Sequence, residues 1–208
     1  ASNVVLSISS EDVGEASVAP SSLTFTPANW NSAQTVTVTG VDENVVDGDQ
    51  NSNITVAVLD VASDNSFDDL ADQTVSATTT DNDVAGFTVA QTDGSTSVAE
   101  TGTTDTFTVV LNAQPTSNVV LTITSSDTGE ATVNSPLTFT NANWDTPQTV
   151  TVTGVDDDII DGTITSTITI AVDDAASNDS FDNLADQTVS TSTTDDDVAG
   201  FTVVESGG

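Results

Sequence analysis

The chain has 208 residues, 33 of them Asp or Glu and none Lys, Arg or His, for a formal net charge of -33. Without His, Cys or Lys it has no imidazole base, thiolate nucleophile or Schiff-base amine, and a Ser nucleophile lacks its usual activating partner. A two-carboxylate glycosidase is the remaining formal option, but two Trp and no Tyr give it little sugar platform, so the chain reads as a non-enzyme.

The same imbalance speaks against polyanionic partners. Affinity for nucleic acid comes from Lys and Arg, and a chain of this charge repels phosphate backbones and anionic membrane surfaces alike. No apolar run approaches the roughly 20 residues that cross a bilayer. Ala1 is followed at once by strand-like sequence, so the chain is expected to be a segment of something longer or a mature product. With no Cys for disulfides or zinc and no Lys for Lys–Asn isopeptide bonds, metal is the remaining reinforcement.

Self-comparison reveals a repeat. TVTVTGVD at 35–42 returns at 149–156, LADQTVS at 70–76 returns at 184–190, and DVAGFTV at 83–89 returns at 197–203, all at an offset of 114. SNVVL at 2–6 returns at 117–121 with one residue more, which places a single-residue gap near Pro20 and Pro136. The period is the size of one β-sandwich module. The expected organisation is a partial module at 1–83 lacking its first strands, a complete module at 84–197, and the first strand of a following module at 198–208, both ends reading as cuts in a longer array. The partial module should leave apolar edges.

Within the complete module, alternating sequence predicts strands at 87–90, 96–98, 106–111, 119–124, 137–139, 148–154, 165–172 and 188–194. The 149–153 stretch shows the pattern, with Val150 and Val152 on one face and Thr on the other. A further strand is expected at 201–204. β-branched residues dominate and no amphipathic helix is evident. The predicted fold is all-β: tandem immunoglobulin-like antiparallel β-sandwiches with a repeat of about 114 residues. Trp30 and Trp144, Phe25 and Phe139, and Phe67 and Phe181 occupy matching positions and are expected as core or corner anchors.

The acids gather in turns. In the complete module, VDDDIIDG holds Asp156, Asp157, Asp158 and Asp161, the junction run holds Asp195, Asp196 and Asp197, and SVAETG holds Glu100. The first module echoes the first two sets with Asp42, Glu43 and Asp47, and with Asp81 and Asp83. In an extended D-x-D the two acids project to one side about 6.6 Å apart along the strand, a spacing that grips one cation. Ca2+ takes six to eight oxygen ligands from such loops. Scattered acids such as Asp68, Asp173 and Asp179 are expected as solvated surface.

Taken in order, SSxxGEATV, LTFT.ANW, PQTVTVTGVDDDIIDG and TTDDDVAGFTV resemble the Calx-beta and Calx-beta-like modules of large bacterial surface adhesins. The resemblance spans essentially the whole chain. It implies a shared calcium site at one module pole, formed by Glu100, Asp156, Asp157, Asp161, Asp195, Asp196 and Asp197. Asp161 stands where those modules usually have Glu, Asn82 interrupts the first junction run, and the first module has no counterpart of Glu100.

The leading functional expectation is an extracellular or bacterial cell-surface stalk, its modules contacting neighbouring modules of the same array and stiffened by Ca2+. A glycan- or protein-binding adhesive module and a fibre self-associating by strand complementation are the competing readings.

Overall fold

The computed structural model describes residues 2–207. The chain forms two compact units, Ala1–Asn82 and Asp83–Gly208. In the first unit the strands are β1 (Val4–Ser10), β2 (Ala16–Ala19), β3 (Ser22–Phe25), β4 (Thr37–Gly40), β5 (Gln50–Val58) and β6 (Gln73–Thr79). In the second they are β7 (Phe87–Gln91), β8 (Thr96–Ala99), β9 (Thr104–Leu111), β10 (Val119–Ser125), β11 (Ala131–Val133), β12 (Leu137–Phe139), β13 (Gln148–Gly154), β14 (Ile164–Val172) and β15 (Gln187–Thr194). The chain is all-β. Among the described residues, no helix is long and apolar enough to cross a membrane.

Unit 2 is a two-layer sandwich. One sheet runs β12-β10-β14-β15-β8 and the other β11-β13-β9-β7. Period-two alternation explains the core between them. Phe107 and Val109 of β9, Val119 and Leu121 of β10, Val150 and Val152 of β13, and Ile168 and Ile170 of β14 are all fully buried. The ladders are antiparallel except one: β8 pairs with β15 in parallel, Thr191 opposite Thr96 and Thr193 opposite Val98. The three-residue strand β11 was not anticipated from the sequence.

Unit 1 repeats the second half of this plan without the first. Its sheets are β3-β1-β5-β6 and the two-stranded β2-β4. Among the described residues nothing in unit 1 corresponds to β7, β8 or β9. The small core is Ile8, Ala16 and Ile54, with Val18, Leu23, Val36, Val56 and Ala77 packed on it.

Three sequence expectations need correction here. Phe139 and Phe181 are fully buried and Trp144 is half-buried, but Trp30 is 72% exposed and Phe67 41% exposed, because the strands that cover this face in unit 2 have no counterpart in unit 1. The stretch 201–204 forms no strand, and Phe201, Val203 and Val204 are exposed. The same GFTV sequence does form β7, but only because β9 supplies its ladder. Finally, Asp68 is not simply solvated surface: its Oδ1, like that of Asp182, is buried without a hydrogen-bond partner.

Candidate metal centre

The inward face of unit 2 turns polar toward one pole. Along β15 the buried residues run Val189, Thr191, Thr193, and along β14 they run Ile170, Ile168, Ser166. On β8 the inward residues are Thr96 and Val98, and alternation carries the next one, Glu100, inward past the end of the ladder. Its amide donates to the Thr194 carbonyl at 3.1 Å, which ties it to the end of β15. Glu100 is fully buried, and neither carboxylate oxygen has a hydrogen-bond partner.

Other carboxylates converge on it. Oxygens of Glu100, Asp157 and Asp197 lie within 4.8 Å of one another, as do those of Glu100, Glu130 and Asp161. Glu130 Oε2 and Asp197 Oδ2 are also buried without partners. An unpaired buried charge is costly, and this chain has no Lys or Arg to pair it. The donor set is oxygen only, which suits a hard cation such as Ca2+. These residues fit that ion.

Of the residues singled out in the sequence, Glu100, Asp157, Asp161 and Asp197 come together in unit 2, while Asp156, Asp158 and Asp196 are exposed and stand outside both groups. Asp195 has a different task. Its Oδ2 accepts from the amides of Asp161 at 3.1 Å and Gly162 at 2.8 Å, and its Oδ1 accepts from the Asp197 amide at 2.7 Å. It clamps the acidic turn to the end of β15. Gly162 makes this possible, since its φ of 77° lies in the left-handed region that disfavours side chains.

Glu130 was missed by sequence reading. It precedes β11, and its carbonyl accepts from the Val155 amide at 2.9 Å and from the Thr193 hydroxyl at 3.3 Å. The available signal was the GEA tripeptide, present at both 14–16 and 129–131. Unit 1 assembles a trio of its own: Glu15, Glu43 and Asp47, the sequence counterparts of Glu130, Asp157 and Asp161, lie within the same 4.8 Å limit. Asp81 repeats the clamp, its Oδ2 accepting from the Gly48 amide at 2.8 Å. Asp42 and Asp83 fall outside the trio.

Burial and neighbouring acids raise three of these groups, while backbone amides lower Asp195. Desolvation, then the neighbouring acids, raises Glu130 and Asp197 above the ordinary carboxylate range. Glu100 is raised chiefly by desolvation, with Asp195, Asp157 and Glu130 adding to it. The Asp196 amide pulls Glu100 the other way, without the geometry of a regular hydrogen bond. Asp195 is lowered, first by the Gly162 amide and then by that of Asp197.

The pH dependence follows. A carboxylic acid whose folded pKa is raised holds protons that the unfolded chain releases, so stability falls as pH climbs from the ordinary pKa of about 4 through the raised value. Asp195 acts oppositely: its contribution is present above its unfolded pKa and lost as pH falls through the lowered one. In calcium-free buffer the melting temperature of unit 2 should therefore decline as pH rises above the ordinary carboxylate pKa of about 4. In millimolar calcium that decline should vanish or reverse, because the ion displaces the protons. Calorimetric scans across this range check both curves.

No family model matches the chain, and neither does any curated protein compared with it. Solved structures do resemble it. Domains 4 and 5 of the S-layer protein SbsC align over 91% of this chain and 70% of that one, at 20% identity and a TM-score of 0.42. SbsC domains 1–6 align over 91% of this chain at 20% identity and TM-score 0.43, but this chain spans only 20% of that structure. The calcium binding domain CBD12 of CALX1.1 aligns over 82% of this chain and 68% of that one, at 12% identity and a TM-score of 0.35.

Proposed function

We propose that this chain is part of a structural stalk in a secreted bacterial adhesin or surface fibre, in which Ca2+ bound at the module pole stiffens the array. One observation supports this above all: fully buried Glu100, with both oxygens unpartnered, meets Asp157, Asp197, Glu130 and Asp161 in a chain without basic residues. Glu100 follows β8, Glu130 precedes β11, Asp157 and Asp161 sit in the turn after β13, and Asp197 follows β15. An ion held by all of them joins four separate stretches of backbone. Through Asp197 it also restrains the segment that leads out of the module.

Extracellular modules typically bind calcium with dissociation constants of about 10⁻⁴–10⁻³ M, so export into millimolar calcium would load the centre. Small-angle X-ray scattering of the full chain tests the stiffening. Calcium should narrow the distribution of molecular dimensions relative to EGTA. Superimposable profiles in the two conditions reject the stalk mechanism.

A further inference from the structure

The chain holds three Asp-Gly pairs, at 47–48, 93–94 and 161–162, and all three glycines have positive φ. In an Asp-Gly pair the side-chain carboxyl is open to attack by the next backbone nitrogen, because Gly has no Cβ to crowd the approach. The structure separates the three. The Gly48 amide donates to Asp81 Oδ2 at 2.8 Å, and the Gly162 amide donates to Asp195 Oδ2 at 2.8 Å. Each of these nitrogens is committed to a charged acceptor and must lose that bond before it can attack.

The third pair is built differently. Asp93 and Gly94 form the tip of the connection between β7 and β8, within the single 3-10 turn Thr92–Gly94, and both are exposed. Among the described residues Asp93 is the one non-glycine residue with a positive φ, 55° with ψ 12°. A residue carrying a Cβ is strained in that region, so leaving it costs little. Asp105 on the adjoining strand β9 gives its oxygens to the amides of Ser97 at 2.8 Å and Thr106 at 2.7 Å, and so clamps the base of β8 rather than the turn.

We propose that Asp93 is a site of spontaneous backbone modification, isomerising to isoaspartate in the folded module, while clamped Asp47 and Asp161 are protected. The Gly94 nitrogen attacks the Asp93 Cγ in its neutral carboxylic acid form. A C–N bond forms, one water leaves with a carboxyl oxygen, and a five-membered succinimide closes. Water then opens the ring. Attack at Cγ breaks the new bond and restores Asp; attack at the main-chain carbonyl breaks the original peptide bond and leaves the chain running through Cβ and Cγ. The water lost is regained, so mass and redox state are unchanged. The extra backbone carbon enters just ahead of β8, the strand that leads to Glu100.

The test incubates the full chain in mildly acidic, calcium-free buffer made with water enriched in the heavy oxygen isotope. Either ring opening then labels the reacting Asp, and tandem mass spectrometry reads label and isoaspartate at each pair. Label at Asp93 should exceed that at Asp47 and Asp161 by about tenfold or more, the cost of breaking a charge-assisted hydrogen bond first. Asp195→Ala frees the Gly162 amide and should raise labelling at Asp161 by a similar factor, with Asp93 unchanged. The comparison of the three pairs within the unsubstituted chain holds whether or not that variant folds. Asp93→Asn should close the same ring with loss of ammonia, read as the mass gain of deamidation at residue 93. A synthetic peptide of residues 88–98, incubated alongside, sets the clock. Equal labelling at the three pairs, or labelling of Asp93 in the folded chain below about a tenth of that in the peptide, overturns the proposal.

Discussion

Glu100→Gln should abolish the calcium response of unit 2. For a dissociation constant near 10⁻⁴ M, about 10 mM calcium is a hundredfold excess, and binding linkage then adds roughly 2.7 kcal/mol to the folded state. For a unit of this size that corresponds to a rise of about 10 °C in melting temperature. The variant should show almost none of it. In EGTA it should melt at or above the temperature of the unsubstituted chain, because the amide removes a buried charge that has no partner.

The sign reversal between the two conditions is the diagnostic. A side chain needed only for packing would destabilise in both. Glu130→Gln should also diminish the response, since oxygens of Glu130, Glu100 and Asp161 lie within 4.8 Å of one another. Asp156→Asn and Asp158→Asn should retain most of it, as both residues are exposed and outside the groups. Differential scanning calorimetry on the four variants, with and without calcium, decides the matter. A full response in Glu100→Gln would remove the centre proposed here.

The second large effect is Gly154→Ala. Gly154 ends β13, opposite Ala131 in the ladder with β11, and its Cα faces the Ala99 carbonyl on β8 too closely for any side chain. A methyl group there must push β8 away from β13, and overpacking of this kind costs about 1–3 kcal/mol and occasionally more. The site suffers with the fold, because β8 is the strand that delivers Glu100. Gly154→Ala should therefore melt several degrees lower and bind calcium more weakly. Gly40→Ala, the same substitution in unit 1, should be close to neutral, since only the Thr79 side chain lies near it. Equal losses in the two variants would show that the collision with β8 is not the cause.

Much of the architecture was legible in the sequence. Where apolar and polar residues alternate over five or more positions, as in β9, β10, β13 and β14, the expected strands match the observed ones to within two residues at either end. Burial of one face is what writes that alternation. The reading failed where the local pattern is the same and the surroundings differ. GFTV makes a strand at 87–90 and none at 201–204, and the AN-W tryptophan is half-buried at 144 and exposed at 30. Strand formation and burial need a partner that local sequence does not specify.

The centre divides in the same way. Acid-rich turns at 156–161 and 195–197 can be found by inspection, and so can the absence of any cation to neutralise them. Which acids converge cannot. Asp195 and Asp197 are two residues apart, yet one spends its oxygens on backbone amides that hold a turn while the other leaves an oxygen buried and unpartnered. Glu130 drew no notice as a lone acid beside a short strand, although the fold sets it against Glu100 thirty residues away. Composition and periodicity thus determined the all-β class, the repeat and the acid-rich turns without basic partners, because these follow from side-chain polarity along the chain. The tertiary structure alone decided the identity of the converging carboxylates, because it depends on which strands and turns lie opposite one another across the sandwich.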